Sequence, residues 1–427
     1  MKRNYFIRSM GLLGGSLLTG QAAHTFGSPG GFSRGIAGLT DEQELWKRIR
    51  EQFLFPDDFI YLNTGGIGGT PLPVLEMMEK STRDAQASPR PGHDVNHWEV
   101  IKGKLAPFIG PTVQAEEIAL VGTATEGLNI ILNGLKLRRG DEVITTTHEH
   151  VALNVPLLNH ARHTGIRIRH FRPDQLNATE VVESINQLIT KKTRLIILSH
   201  VTCTTGQLLP VDRIGELARS RGVLLCIDGA QATGWLPMDV KASAIDFYAT
   251  CGHKWLLGPK RTGFLYVERS KQELVRPTCV GAYSDAKHDL EEGLLELWSS
   301  ARRYEYGTQN EPGFFGLETA AEFIQAIGLE KVYRHDRELA ERFYHGLLEI
   351  PSVEILSPKE MESRSSMITF RIRNKDYKDT ANQLSGPKKI RVRQVPEAGV
   401  NGVRASFHLY NQESDVDRIL EEIGKMS

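Results

Sequence analysis

Between Glu117 and Glu268 short apolar runs alternate with helical patterns, and few architectures can accommodate such a chain. The runs are Ile118–Val121, Val143–Thr147, Ile166–Phe171, Leu195–Leu198, Val223–Ile227, Ile245–Ala249 and Gly263–Val267. Most are apolar at successive positions rather than at every second one, which requires burial on both faces, as in a parallel sheet covered by helices. Helical patterns such as Glu126–Leu135, Ala178–Ile189 and Val211–Ser220 fall between them. The expectation is therefore an α/β domain around a mostly parallel sheet of about seven strands.

Past Pro312 the rhythm changes. One long helical stretch, Leu317 to about Leu348, leads to strand-like Met367–Ile372, a helical piece at Tyr377–Leu384, strand-like Ile390–Val395, a strand at Val403–Phe407 and a closing helix from Glu413. That pattern predicts a smaller α+β domain. A chain of 427 residues is long enough to bury both cores. Ahead of them, Thr40 caps an amphipathic helix through Trp46, Ile49 and Phe53. The partition expected is residues 1–35 as an export segment and linker, 36–60 packing on the small domain, 61–310 as the large domain and 311–427 as the small one.

The 52 basic and 52 acidic residues cancel, so no overall field favours nucleic acid or an anionic membrane. Cysteines at 203, 226, 251 and 279 show neither metal-type pairing nor a disulfide framework. At the N-terminus, Lys2, Arg3 and Arg8 precede an apolar, glycine-rich stretch from Met10 to Leu18 and small residues around Ala22. This reads as a signal segment too short to span a bilayer. Arg3 to Arg8 looks like a twin-arginine motif with its second arginine replaced by Asn4. A periplasmic location is expected, with a cytoplasmic one as the alternative.

Two strand ends carry the chemistry. Ile227-Asp228-Gly229-Ala230-Gln231 closes one apolar run, and Gly252-His253-Lys254-Trp255 follows the next. A carboxylate and a lysine at neighbouring strand ends are what a pyridoxal phosphate enzyme needs. The lysine amine condenses with the cofactor aldehyde, and the carboxylate keeps the pyridine nitrogen protonated. Gly122-Thr123-Ala124-Thr125-Glu126 joins a strand to a helix, where exposed N–H groups can seat a phosphate; taken alone, it is a capped helix. Asn63, before the glycine loop Gly65-Gly66-Ile67-Gly68-Gly69, is placed at the substrate entrance.

With these motifs in order, the chain resembles the class V aminotransferases of fold-type I pyridoxal phosphate enzymes, the group containing cysteine desulfurases, kynureninase and isopenicillin N epimerase. The resemblance runs from about Phe59 to Ile423 and is nearest in flavour to the isopenicillin N epimerase-like branch. It implies Lys254 as the cofactor anchor, Asp228 against the ring nitrogen and Gln231 at the ring hydroxyl. It places Ala124 and Thr125 at the phosphate, with Cys251 and His253 beside the lysine. His150, in Thr147-His148-Glu149-His150, would stack on the ring and assist proton transfer. Arg404, in Gly402-Val403-Arg404-Ala405-Ser406, would clamp a substrate carboxylate. Thr308, in Tyr306-Gly307-Thr308, would reach the cofactor phosphate of a second subunit in a homodimer.

Departures from the pattern bear on the reaction. Cysteine desulfurases carry a nucleophilic cysteine just before the Arg404 strand, whereas Val395 to Asn401 contains none. The sequence thus argues against desulfuration. Cys251 replaces a serine that usually contacts phosphate, and Cys203 replaces an asparagine near the ring. Chemistry at the α-carbon of an amino acid or amino-acid-like group is expected, as transamination. Epimerisation or β-elimination is the alternative, and a catalytically silent cofactor-binding relative is the alternative of another class.

Overall fold

A computed structural model describes residues 39–90 and 92–426, together with Phe32, Gly35 and Ile36. The export motif and apolar stretch read between Lys2 and Ala22 lie outside the described residues.

The larger sheet has seven strands: β1 Ile118–Val121, β2 Glu142–Thr146, β3 Arg167–Phe171, β4 Thr193–Ser199, β5 Leu224–Asp228, β6 Phe247–Cys251 and β7 Gly263–Val267. Their order across the sheet is β1-β7-β6-β5-β4-β2-β3. From β6 to β3 every pairing is parallel, while β7 runs antiparallel to both of its neighbours. Both β1 and β6 oppose β7, so β1, β2, β4, β5 and β6 all end at the same edge. Helices α1 Glu42–Arg50, α2 Leu72–Ala87, α3 Val95–Leu105, α4 Ala124–Gly134, α5 Val151–Thr164, α6 Ala178–Leu188 and α7 Val211–Ser220 accompany this sheet in the chain. Strands β1, β6 and β7 are buried along their whole length. The fold is the mostly parallel α/β arrangement of about seven strands expected from the sequence.

The second sheet is antiparallel, with strands β8 Val353–Ile355, β9 Met367–Ile372, β10 Arg393–Val395 and β11 Gly402–Ser406 in the order β8-β9-β11-β10. Helices α8 Glu311–Ile327, α9 Leu329–Leu348, α10 Tyr377–Ser385 and α11 Glu413–Met426 belong to this half of the chain. A separate apolar cluster including Phe343, Phe370, Phe407 and Ile419 forms its core.

Four local expectations are corrected. Asp41, not Thr40, caps α1: its carboxylate accepts from the N–H groups of Gln43 and Glu44. The stretch expected as one helix is two, α8 and α9, because Gly328 adopts φ 95°, which ends the helical run. The run Ile390–Val395 also divides: Ile390–Arg391 pairs with Ile60–Tyr61, and β10 pairs with β11. The strand expected at Ile245–Ala249 starts at Phe247, since Ala244 has φ 51° and Asp246 turns its carboxylate to the Leu225 N–H at 2.9 Å. That offset makes Cys251 the last residue of β6.

Candidate active site

Asp228 ends β5 and stands in register with Ala249 of the neighbouring β6, three residues before the lysine turn begins at Gly252. The turn after β6 is tied on several sides. Gly252 N–H donates to Thr262 O at 2.7 Å, Gly258 N–H to Gly252 O at 2.8 Å and Gly68 N–H to His253 O at 2.8 Å. Lys254 is thereby held, buried, on a short clamped loop. An ideal Cβ on Gly68 would lie 2.0 Å from Lys254 O, so only glycine permits that approach.

A cavity of about 200 Å³ opens at this edge, lined by Lys254, Asp228, Gln231, His150, Cys251 and His253, and further by Ala124, Thr125, Cys203, Arg393 and Arg404. Ten of the residues singled out in the sequence therefore meet: Lys254, Asp228, Gln231, His150, Cys251, His253, Ala124, Thr125, Cys203 and Arg404. Two do not. Asn63 is not in the cavity wall; it pairs with Ser406 behind Gly65 and Gly66, which are. Thr308 lines a different groove, with Gln309 and Glu311 beside α2.

The electrostatics follow from burial. Desolvation pushes the Asp228 carboxyl up, and the Lys254 charge and the Ala230 N–H, donating to Oδ1 at 3.0 Å, pull it back. His150 caps α5 by accepting the Ala152 N–H at Nδ1, 3.1 Å away, which leaves the ring proton on Nε2. Burial, then the charge of Lys254, lowers its pKa to about 4, so the ring is neutral at pH 7. Burial raises the Cys203 and Cys251 thiols to about 11. Gln231 donates from Nε2 to Gly65 O at 2.8 Å and accepts the Trp255 indole N–H at Oε1, 2.9 Å away. One Nε2 hydrogen of its amide remains to face the cavity.

Arg404 is fully buried in β11. Its Nη1 donates to Cys203 O, whereas Nε and Nη2 have no hydrogen-bond partner among the described residues. Burial and the adjacent Arg393 lower its pKa to about 9, which still leaves it charged at neutral pH. A buried guanidinium with a free fork is a seat for a carboxylate.

Sequence reasoning missed Arg393. It stands directly opposite Arg404 across β10 and β11, donates to Cys203 O at 3.4 Å and forms an ion pair with Glu397. Its run is strand-like in the sequence, but nothing local pairs that strand with the one that carries Arg404. Glu149 is a second finding. It accepts from Thr146 Oγ1 at 2.7 Å and from Ser199 N–H at 2.9 Å, and burial followed by smaller effects raises its pKa from 4.5 to about 7. A raised carboxyl pKa stabilises the fold fully below its unfolded value, and that contribution is lost as pH climbs through the folded value. Relative to Glu149→Gln, the wild type should therefore lose roughly 3 kcal/mol of advantage between pH 4.5 and pH 7. Melting curves of both proteins from pH 5 to 8 check this; a pH-independent difference contradicts it.

The site fits pyridoxal phosphate. Thr123 caps α4 by accepting the Glu126 N–H, and the Glu126 carboxylate takes the Gly122 N–H at 2.8 Å. The first-turn N–H groups at Ala124 and Thr125 then face the cavity for a phosphate. Lys254 would hold the aldehyde and Asp228 the ring nitrogen. Gly65 leaves space that a side chain would fill, since a Cβ there would stand 2.8 Å from Arg404 Nη2.

Comparison with known proteins agrees on the cofactor and corrects one expectation. The family profile described as "Aminotransferase class-V" matches residues 60–419. A probable cysteine desulfurase of Pyrococcus abyssi is 28% identical over 88% of this chain and 97% of its own. Isopenicillin N epimerase of Amycolatopsis lactamdurans is 30% identical over 90% of this chain and 98% of its own. A lysine-to-alanine mutant of C-DES, with glycine covalently linked to its PLP cofactor, superposes with a TM-score of 0.78 at 27% identity, covering 88% and 98%. The argument against desulfuration does not stand, because relatives of nearly full coverage are named cysteine desulfurases. It rested on the thiol missing from one loop, but the fold brings two others, Cys203 and Cys251, to the cavity.

Proposed function

Because this chain belongs to the class V aminotransferases and is built for pyridoxal phosphate, we propose that it works at the α-carbon of an amino acid or amino-acid-like substrate, as an aminotransferase. The observation that carries this reading is the convergence of Lys254, Asp228 and the free fork of Arg404 on one cavity. Epimerisation is the second reading, favoured by the relative named isopenicillin N epimerase.

When bound, the cofactor supplies an aldehyde that takes an amine and a ring that draws electrons from the α-carbon. The protein does the rest. Arg404 binds the substrate carboxylate and so fixes which bond at the α-carbon faces Lys254. The Lys254 amine takes the α-proton and holds it. The carboxylate of Asp228, shielded from water, stabilises positive charge opposite it. His150, neutral and oriented by its own helix cap, closes one side of the cavity. Where the proton returns separates transamination from epimerisation, which needs return to the opposite face of the α-carbon, and loss of a β-group gives elimination.

The test is a visible absorption series on the holoprotein with a panel of L- and D-amino acids, coupled to deuterium exchange at the α-carbon. Loss of the visible band with recovery by a keto acid establishes transamination. Exchange without that loss transfers the assignment to epimerisation or elimination, and exchange with no amino acid overturns α-carbon chemistry. Arg404→Ala should cost about 100-fold in kcat/KM for carboxylate-bearing donors, mostly as KM. Steady-state kinetics with a donor and its carboxamide check this: the variant should no longer distinguish the two.

Two further parts of the reading concern assembly and place. A homodimer is supported by Thr308 standing apart from the cavity of its own chain and by an exposed apolar row on α5, Val151, Val155 and Leu158, at 56%, 60% and 62% exposure. Light scattering that returns only monomer mass would remove it. Export is supported by the basic and apolar pattern between Lys2 and Ala22. Cell fractionation that finds the mature chain solely in the cytosol would remove that.

A further inference from the structure

Beneath the lysine turn lies a buried acid–base pair that the chemistry above does not use. Asp336, on α9, and His408, two residues beyond β11, are both fully buried. His408 Nδ1 is 2.7 Å from Asp336 Oδ2, and Nε2 is 3.0 Å from the backbone oxygen of Trp255, the residue after Lys254. The imidazole also meets the Trp255 indole edge-on, with ring centroids 5.2 Å apart. That indole N–H in turn donates to Gln231 Oε1 in the cavity wall.

The hydrogen-bond chemistry allows one orientation. A carbonyl oxygen only accepts, so Nε2 carries a proton and donates it to Trp255 O. Between Nδ1 and Oδ2 there is then one shared proton, on either atom, and the pair is neutral overall in both arrangements. Asp336 thus fixes the tautomer and the tilt of the ring, as a carboxylate behind a working histidine does. Burying such a pair costs desolvation that an apolar pair would avoid. Burial indeed raises the Asp336 carboxyl to about 6. A device with that cost, aimed at the peptide next to the cofactor anchor, is placed to hold that peptide.

We propose that Asp336 and His408 are positioning residues for Lys254. They lock the Trp255 carbonyl, which sets where the Lys254 amine stands against the cavity and keeps Trp255 on Gln231. Because His408 lies four residues beyond Arg404, one segment aligns both the lysine turn and the carboxylate clamp. The inference rests on the reading of Lys254 as the cofactor anchor.

The variants separate the hydrogen bond from bulk packing. In His408→Gln the amide nitrogen can still donate to Trp255 O, whereas His408→Leu cannot. In Asp336→Asn the amide can donate to Nδ1 and keep the proton on Nε2, whereas Asp336→Leu cannot. The readouts are the pH midpoint of the visible band of each holoprotein, the rate of cofactor loss on dialysis, and kcat against KM for α-proton exchange. The leucine variants should move the midpoint by about one pH unit and lower kcat by about 10- to 100-fold with KM little changed. Both amide variants should recover most of the difference. A leucine variant that melts earlier but keeps the wild-type midpoint and kcat overturns the proposal and leaves the pair as a packing element. Equal impairment of His408→Gln and His408→Leu also overturns it. Should the leucine variants fail to fold, a wild-type midpoint must still hold in both amide variants, and a shift there as large as a unit overturns it. The anchor reading is judged separately, by whether Lys254→Ala loses the band.

Discussion

Lys254→Ala is expected to purify without the visible absorption of the wild-type holoprotein and to lose α-proton exchange by about 10⁴-fold or more. Two roles vanish together in this variant: the covalent hold on the cofactor and the amine that carries the α-proton. The substitution is made in a turn whose hydrogen bonds come from backbone groups of Gly68, Gly252 and Gly258, so the fold should survive it. Circular dichroism and melting temperature should therefore stay close to wild type while colour and exchange disappear. A variant that retained the wild-type band would show that another amine holds the cofactor, and the assignment of the site would fall with it.

Asp228→Asn should be the second most damaging change. The amide keeps the shape of the carboxylate and can still accept the Ala230 N–H, but it cannot offset a positive charge. Exchange at the α-carbon should slow by about 10³-fold, with binding of the cofactor less affected than the rate. Single-turnover exchange beside equilibrium titration with pyridoxal phosphate separates the two. An unchanged rate would mean that ring protonation is not what drives proton removal. Asp228 and Glu149 lie within electrostatic reach of each other, so the asparagine variant should also relieve part of the upward pressure on the Glu149 carboxyl.

The cofactor half of the site was legible because it is written in local sequence. Apolar strands announce where β5 and β6 stop, and the residues that follow a parallel strand emerge at one edge of the sheet. Asp228, Gln231, Lys254 and Ala124–Thr125 all follow that rule. The substrate half depends on pairings across long stretches of chain, which no local pattern records. Arg393 enters the cavity only because β10 lies beside β11, and Asp336 meets His408 across 72 residues. Cys203 is recognisable near the ring only through the family resemblance, since the turn after β4 that carries it has no periodic signal. Gly328 was visible in the sequence yet was overridden by the helical periodicity around it; its φ of 95° shows that the local residue should have prevailed.

The cavity has two owners. The seven-stranded sheet supplies the residues proposed to hold the cofactor, and the four-stranded sheet supplies Arg393 and Arg404. Their shared wall is narrow, with both arginines resting on the one Cys203 carbonyl. Such a division lets selection edit clientele and engine separately. Exchanging Glu397, in the turn joining β10 to β11, would release Arg393 from its ion pair without disturbing the strand ends that carry Asp228 and Lys254. A lineage can thus retune its clientele from a turn beside the wall, and a protein engineer has the same handle on Arg393.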